Sequence, residues 1–131
     1  MAKTLKAITT KLDNITRSIV RCRDQKCITC GKEDRARLQL SHVITRSSIS
    51  TRWDMRNCNL QCSGCHLKWH AGFTEPYHNY LKAKWGPEII VDLHRDGNRT
   101  AVEVDLKKLH QREDLYESMK KEYEEMEGDK W

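Results

Sequence analysis

Cys27-Ile28-Thr29-Cys30-Gly31 opens a stretch that runs through Leu40-Ser41-His42-Val43 and Arg56-Asn57, then closes on Cys62-Ser63-Gly64-Cys65-His66-Leu67-Lys68-Trp69-His70. Two C-x-x-C pairs supply four thiolates, the number a tetrahedral zinc site needs, and each pair delivers two from a single turn. The 31 residues between the pairs exceed a simple ribbon loop, so a sub-structure must be housed there with zinc clamping its ends. Such a site contributes directly to folding. A redox C-x-x-C and unrelated buried cysteines are the competing readings; the absence of an apolar signal region at the N-terminus favours metal over a secreted disulfide scaffold. Cys22 and Cys58 fall outside the pairs and read as small buried apolar residues.

Within the clamp, His42 has the chemistry of a general base, because an imidazole near neutral pKa can take a proton from water. His66 and His70, four apart on an expected helix, share one face and can bind a second divalent metal together. Mg²⁺ or another divalent cation there would stabilise charge on a phosphate and its leaving oxygen. Arg46, Arg52 and Arg56 flank this region, and their forked guanidinium groups suit phosphate oxygens, as does Lys68. A solvated basic face is the plainer alternative.

Charge points the same way. Residues 1–70 carry 14 Lys+Arg against 5 Asp+Glu, whereas residues 71–131 carry 10 against 14. The positive half surrounds the cysteines, which suits a polyanion such as DNA. Only one Phe is present and 37% of residues are hydrophobic, so the core is small and zinc replaces part of it. No apolar run is long enough to span a bilayer; the expectation is a soluble, cytoplasmic protein without a membrane partner.

Outward from the centre, apolar residues at Leu5, Ile8, Leu12, Ile15, Ile19 and Val20 predict an amphipathic helix with Thr4 as its N-cap and a basic outer face that includes Lys11, Arg17 and Arg21. A zinc knuckle over 25–34, a short strand leading into His42, a loop from Thr45 to Asp54, a second strand over Asn57 to Gln61 and a helix over Ser63 to Ala71 follow. Thr74 should cap a helix that Gly86-Pro87 stops. Glu88 to His94 reads as a short helix, with a hairpin of Ile89–Val91 and Thr100–Val104 as the alternative. Asp105 is the expected cap of a last helix reaching Glu127. Its stripe of Leu109, Tyr116, Met119, Tyr123 and Met126, interrupted by Arg112, suits packing on its own domain better than a homodimer seam.

These motifs together resemble the HNH (ββα-metal) nuclease superfamily, and more closely the phage NinG/Rap recombination endonucleases. The closer resemblance rests on Arg21-Cys22-Arg23-Asp24, the first cysteine pair with Gly31, His42, Arg52-Trp53-Asp54-Met55-Arg56-Asn57, Gln61-Cys62 to Cys65, His70-Ala71-Gly72, Tyr80-Leu81 and Trp85-Gly86. It implies an α+β, mainly helical fold: a zinc-clamped ββα-metal core at 25–72, an N-terminal helix at 1–24 and a helical extension at 73–131, all in one domain. It implies that His42 activates water, that Asn57 pins the loop and orients that base, and that His66 and His70 ligate the catalytic metal. Ser41 departs from the pattern, standing where many members place an Asp or His ligand; either water fills that corner or His66 and His70 alone hold the metal with weakened affinity, and Asp54 is a candidate to compensate. The implied activity is metal-dependent hydrolysis of DNA phosphodiesters in recombination, directed at branched or duplex DNA. A non-catalytic zinc module that binds DNA or protein is the alternative, and Ser41 is its best support.

Overall fold

The computed structural model describes residues 4–98 and 106–131. In chain order it contains α1 (Leu5–Asp24), a 3₁₀ turn at Arg35–Arg37, β1 (Leu38–His42), α2 (Ile49–Arg52), β2 (Cys58–Cys62), α3 (Ser63–His70), α4 (Glu75–Trp85), α5 (Ile89–Gly97) and α6 (Leu109–Glu125). Helix predominates, and the two strands form one antiparallel hairpin with Leu38 opposite Cys62 and His42 opposite Cys58.

α1 is the spine. The Thr4 hydroxyl accepts from the Ala7 amide at 3.0 Å, the expected N-cap, and Gln25 ends the helix in the left-handed region at φ 62°. Ile8, Leu12 and Ile19 bury against Trp53 and Met119, with Leu109, Tyr116, Tyr123 and Met126 packed around them. The α6 stripe thus covers its own α1, and the interrupting Arg112 is itself buried. Its guanidinium donates from Nε to Leu106 O and from Nη1 to Thr9 Oγ1 and lies 5.4 Å from the Trp53 ring centre, so two oxygens and a π-face compensate its burial.

Val20 turns to the other side of α1, into a cluster with Cys27, Leu38, Cys58, Leu60 and Cys62. A third cluster, Tyr77 and Leu81 of α4 with Ile89 and Leu93 of α5, packs under Val43, Ile44 and Trp69.

β2 is buried along its whole length, although Asn59 and Gln61 are polar. Burial of amides costs free energy unless partners are supplied. Asn59 Nδ2 donates to Tyr77 Oη at 3.0 Å, Tyr77 Oη donates to Ser41 O at 3.1 Å, and Arg23 donates to Asn59 Oδ1 and to Cys58 O. The Asp24 carboxylate, held by Arg23 at 2.7 Å, accepts from the Leu60 amide. These bonds tie the end of α1 and the start of α4 to the hairpin. Replacing Tyr77 by Phe keeps the ring but removes one bond from the Asn59 amide, which keeps Arg56 O at 3.3 Å, and one from the Ser41 carbonyl, and should lower stability by about 0.5–1.5 kcal/mol in urea titration; an unchanged midpoint would show that this relay contributes nothing.

Several sequence expectations change. The segment 45–54 is not all loop: α2 forms within it. Thr74 precedes α4 but makes no side-chain cap bond. Residues 89–91 are helical, which removes the hairpin reading; Thr100–Val104 lie outside the described residues, as does Asp105. α6 starts at Leu109 with Lys108 at its N-cap position. Among the described residues, no helix is long and apolar enough to cross a membrane.

Candidate metal centre and catalytic cleft

The sulfurs of Cys27, Cys30, Cys62 and Cys65 all lie within 4.8 Å of one another. Sulfurs at the corners of a tetrahedron around zinc stand about 3.8 Å apart, given Zn–S distances of about 2.3 Å, and Cys30 Sγ and Cys62 Sγ are 3.6 Å apart. Local backbone geometry explains the convergence. In the first knuckle the Gly31 amide donates to Cys27 O and the Cys27 amide to Lys32 O, both at 2.9 Å, a turn that needs the positive φ of Gly31, 81°. The second pair straddles the junction of β2 and α3, where Cys62 is the N-cap and its sulfur accepts from the Cys65 amide at 3.4 Å. The Ile28 amide donates to Leu60 O at 2.9 Å and fastens the knuckle to β2.

Acidities within the cluster diverge. Burial raises the Cys27 thiol, but the Thr29 hydroxyl and neighbouring amides outweigh it and bring Cys27 down to about 6; burial pushes Cys65 up to about 12. Four soft donors, one of them ionised at neutral pH, can hold a zinc ion. Cys22 and Cys58 are buried, as expected, and neither belongs to this group of four sulfurs.

His42 ends β1. Its Nε2 lies 3.1 Å from Arg52 O, and because a carbonyl only accepts, that nitrogen carries the proton and Nδ1 is left as the acceptor. Burial lowers its pKa below 6.5, and the positive charge of Arg46 adds to the effect. The imidazole is therefore neutral at pH 7.

Asn57 holds the loop that supplies this carbonyl. Its Oδ1 accepts from the Ile44 amide at 2.7 Å, and its Nδ2 donates to Ile44 O and Thr51 O, both at 3.0 Å. One fully buried amide thereby bridges the residue two past His42 and the residue just before Arg52.

His66 and His70 meet on α3 with their Nε2 atoms 2.9 Å apart. Two nitrogens about 2.0–2.1 Å from one ion and at right angles around it would be about 2.9 Å apart; a hydrogen bond between neutral rings also fits. Gln39 Oε1 accepts from His66 Nδ1 at 2.7 Å, which leaves His66 Nε2 unprotonated. Burial, then the neighbouring His70, lowers the His66 pKa and favours the neutral ligand form. Among the described residues, the four cysteines are the one group of three or more His, Cys, Asp or Glu side chains close enough to share an ion. The histidine pair thus offers two ring nitrogens, with no third His, Cys, Asp or Glu side chain beside them among the described residues. Ser41, within β1, is fully buried, and its hydroxyl has no hydrogen-bond partner among the described residues. Asp54 is engaged by Arg56 at 2.7 Å.

The basic residues separate into two groups. Arg52 points both Nε and Nη2 at Asp13, at 3.0 and 2.8 Å, and Arg56 bridges Asp54 and Asp96 at 2.7 and 2.9 Å. Both, read from sequence as phosphate contacts, are neutralised within the fold. Arg46 is exposed and 3.7 Å from Asp13, and Lys68 is exposed on α3. A cleft of about 320 Å³ opens between α1 and β1, and His42 and Arg46 line it together with Asp13, Arg17, Arg21 and Trp53. Asp13, which also accepts from Trp53 Nε1 at 2.8 Å, and Gln39 are site residues that no motif marks; their roles rest on contacts distant in sequence.

Residues 1–127 match the family described as Bacteriophage Lambda NinG protein. No curated protein and no solved structure matches the chain.

Proposed function

Because the chain belongs to the bacteriophage lambda NinG family, we propose that it is an HNH-type, metal-dependent DNA endonuclease of phage recombination, acting in the cytoplasm of the infected cell. The observation that carries the proposal is His42: neutral, fixed through Nε2 to Arg52 O, with Nδ1 free and an arginine-lined cleft before it. That is the arrangement a general base needs to take a proton from water as the water attacks phosphorus in line. Asn57 keeps the ring in place by clamping the loop that provides its anchor. His66 and His70 would hold Mg²⁺ or a related cation, with water completing its shell. Such an ion supplies Lewis-acid stabilisation of the charge on the phosphate and its leaving oxygen. The four cysteines would hold zinc for the fold alone. The products would carry 5′-phosphate and 3′-hydroxyl ends. Among the described residues no element presents a base-reading helix, so selection of branched over linear duplex DNA would come from shape and charge.

A second reading is favoured by one observation. Among the described residues only two side chains that could ligate an ion meet at the histidine pair, and the Ser41 hydroxyl is buried. A non-catalytic zinc module that binds DNA would need nothing more.

The test is to incubate the zinc-loaded protein with end-labelled branched, linear duplex and single-stranded DNA in Mg²⁺, Mn²⁺ or EDTA. Cutting in the divalent metals that disappears in EDTA is the expected result; binding without cutting in both metals selects the second reading. The pH profile adds mechanism. Protonation removes the base, so the rate must fall as pH falls, and because burial lowers the His42 pKa, the acid limb should be centred below 6.5. A limb centred above that value would assign the titration to another group.

A further inference from the structure

α1 turns one face onto the His42 cleft, and two polar atoms of that face have no partner among the described residues. Asp13, Thr16, Arg17 and Arg21 line the cleft at helical spacing. Thr16 is 1% exposed and its Oγ1 makes no hydrogen bond, whereas Thr9 and Thr10 on the same helix bond back to Leu5 O and Lys6 O. Arg21 Nε is likewise buried and unpartnered. Buried polar groups in folded proteins are normally satisfied, and two orphans lining one cleft point to a ligand that completes them.

Charge identifies the ligand. Arg17, Arg21, Arg46 and Arg52 line the cleft against one carboxylate, Asp13, and that carboxylate is taken up by Arg52 and Trp53. Among the described residues Arg17 donates to the neutral Asn14 amide oxygen at 3.2 Å and forms no ion pair. Arg21 is held by stacking, its guanidinium 4.8 Å from the Trp131 ring centre, which fixes its position without neutralising it. The donors from Thr16 to Arg21 extend about 7.5 Å along the helix axis, more than one phosphate group covers.

We propose that the Thr16, Arg17 and Arg21 face of α1, with Arg46, is a phosphodiester-binding subsite that lays the DNA backbone across the His42 cleft. The proposal rests on the DNA reading above but not on catalysis. Arginine forks and a hydroxyl contact phosphate oxygens without reading bases, so the subsite strengthens binding to every DNA shape alike.

Fluorescence anisotropy with the zinc-loaded full chain, in EDTA to prevent cutting, measures it on dye-labelled duplex and branched DNA over a salt series. The Arg17→Gln/Arg21→Gln double variant should raise Kd at least about tenfold on both DNAs and make the slope of log K against log salt shallower by about two. Thr16→Val, which keeps the side-chain shape, should weaken binding a few-fold without lowering thermal stability, since no internal bond is lost. Arg17→Gln alone alters an exposed side chain, and it decides the matter if loss of the Arg21–Trp131 stack unfolds the double variant. Unchanged Kd and slope in a folded variant would overturn the subsite. If the wild type cuts DNA while the variants bind normally, the subsite fails and the nuclease stands. If the wild type never cuts but the variants lose binding, the subsite stands and the nuclease fails.

Discussion

Cys62→Ser protein is expected to purify without zinc and without a cooperative thermal transition. Structural zinc contributes on the order of 10 kcal/mol to small metal-clamped domains, comparable to the whole stability of about 5–15 kcal/mol of an ordinary one. Cys62 also does more than donate a sulfur. It is 4% exposed within the cluster of Val20, Leu38 and Leu60, pairs with Leu38 at the end of β2, and caps α3 by accepting from the Cys65 amide. Serine keeps the backbone but is a hard, un-ionised donor, so the clamp opens at the junction that positions both α3 and the hairpin. Metal analysis and far-UV circular dichroism melts measure the outcome, with Cys58→Ala as the control. Cys58 is equally buried but outside the sulfur group, so its variant should keep its zinc and lose only packing and the bond from its sulfur to Arg52 O. A Cys62→Ser protein that melts like the wild type would remove zinc from the account of folding.

The second large effect is at His42. Alanine there should reduce DNA cutting by about 10²–10⁴-fold, the usual contribution of a general base, while leaving zinc content intact. The ring is half-buried at the rim of the cleft, and its one hydrogen bond is to Arg52 O, a carbonyl that Cys58 Sγ also approaches at 3.3 Å. Removing the imidazole therefore orphans no buried donor, and the loop is still clamped by Asn57. Loss of rate with retained fold and retained DNA binding separates a base from a merely structural histidine.

The parts of this fold legible in the sequence are those set by local chemistry. Apolar spacing and Thr4 located α1; the C-x-x-C pairs located the four-sulfur cluster; alternation placed β1 up to His42, and the i, i+4 pair brought His66 and His70 onto one face. What escaped depends on partners far along the chain. Arg52 reads from sequence as a phosphate contact because its counter-charge, Asp13, lies 39 residues away; Arg56 pairs with Asp54 two residues before it as well as with Asp96, 40 residues on. α2 lacks any apolar period, since the loop around it is shaped by the Asn57 amide rather than by its own residues. Gln39, which orients His66, belongs to no motif, and a single glutamine on a strand carries no sequence signal. The two unpartnered α1 atoms are visible only once α1 and β1 are packed together.

The central claim is that His42 activates water against a DNA phosphodiester. Its most direct test compares zinc-loaded wild type and His42→Ala on end-labelled branched DNA in Mg²⁺, at protein concentrations where anisotropy shows equal binding. Cleavage by the wild type, with the variant bound but silent, is the predicted result; equal cleavage by both proteins, or none by the wild type, would contradict it.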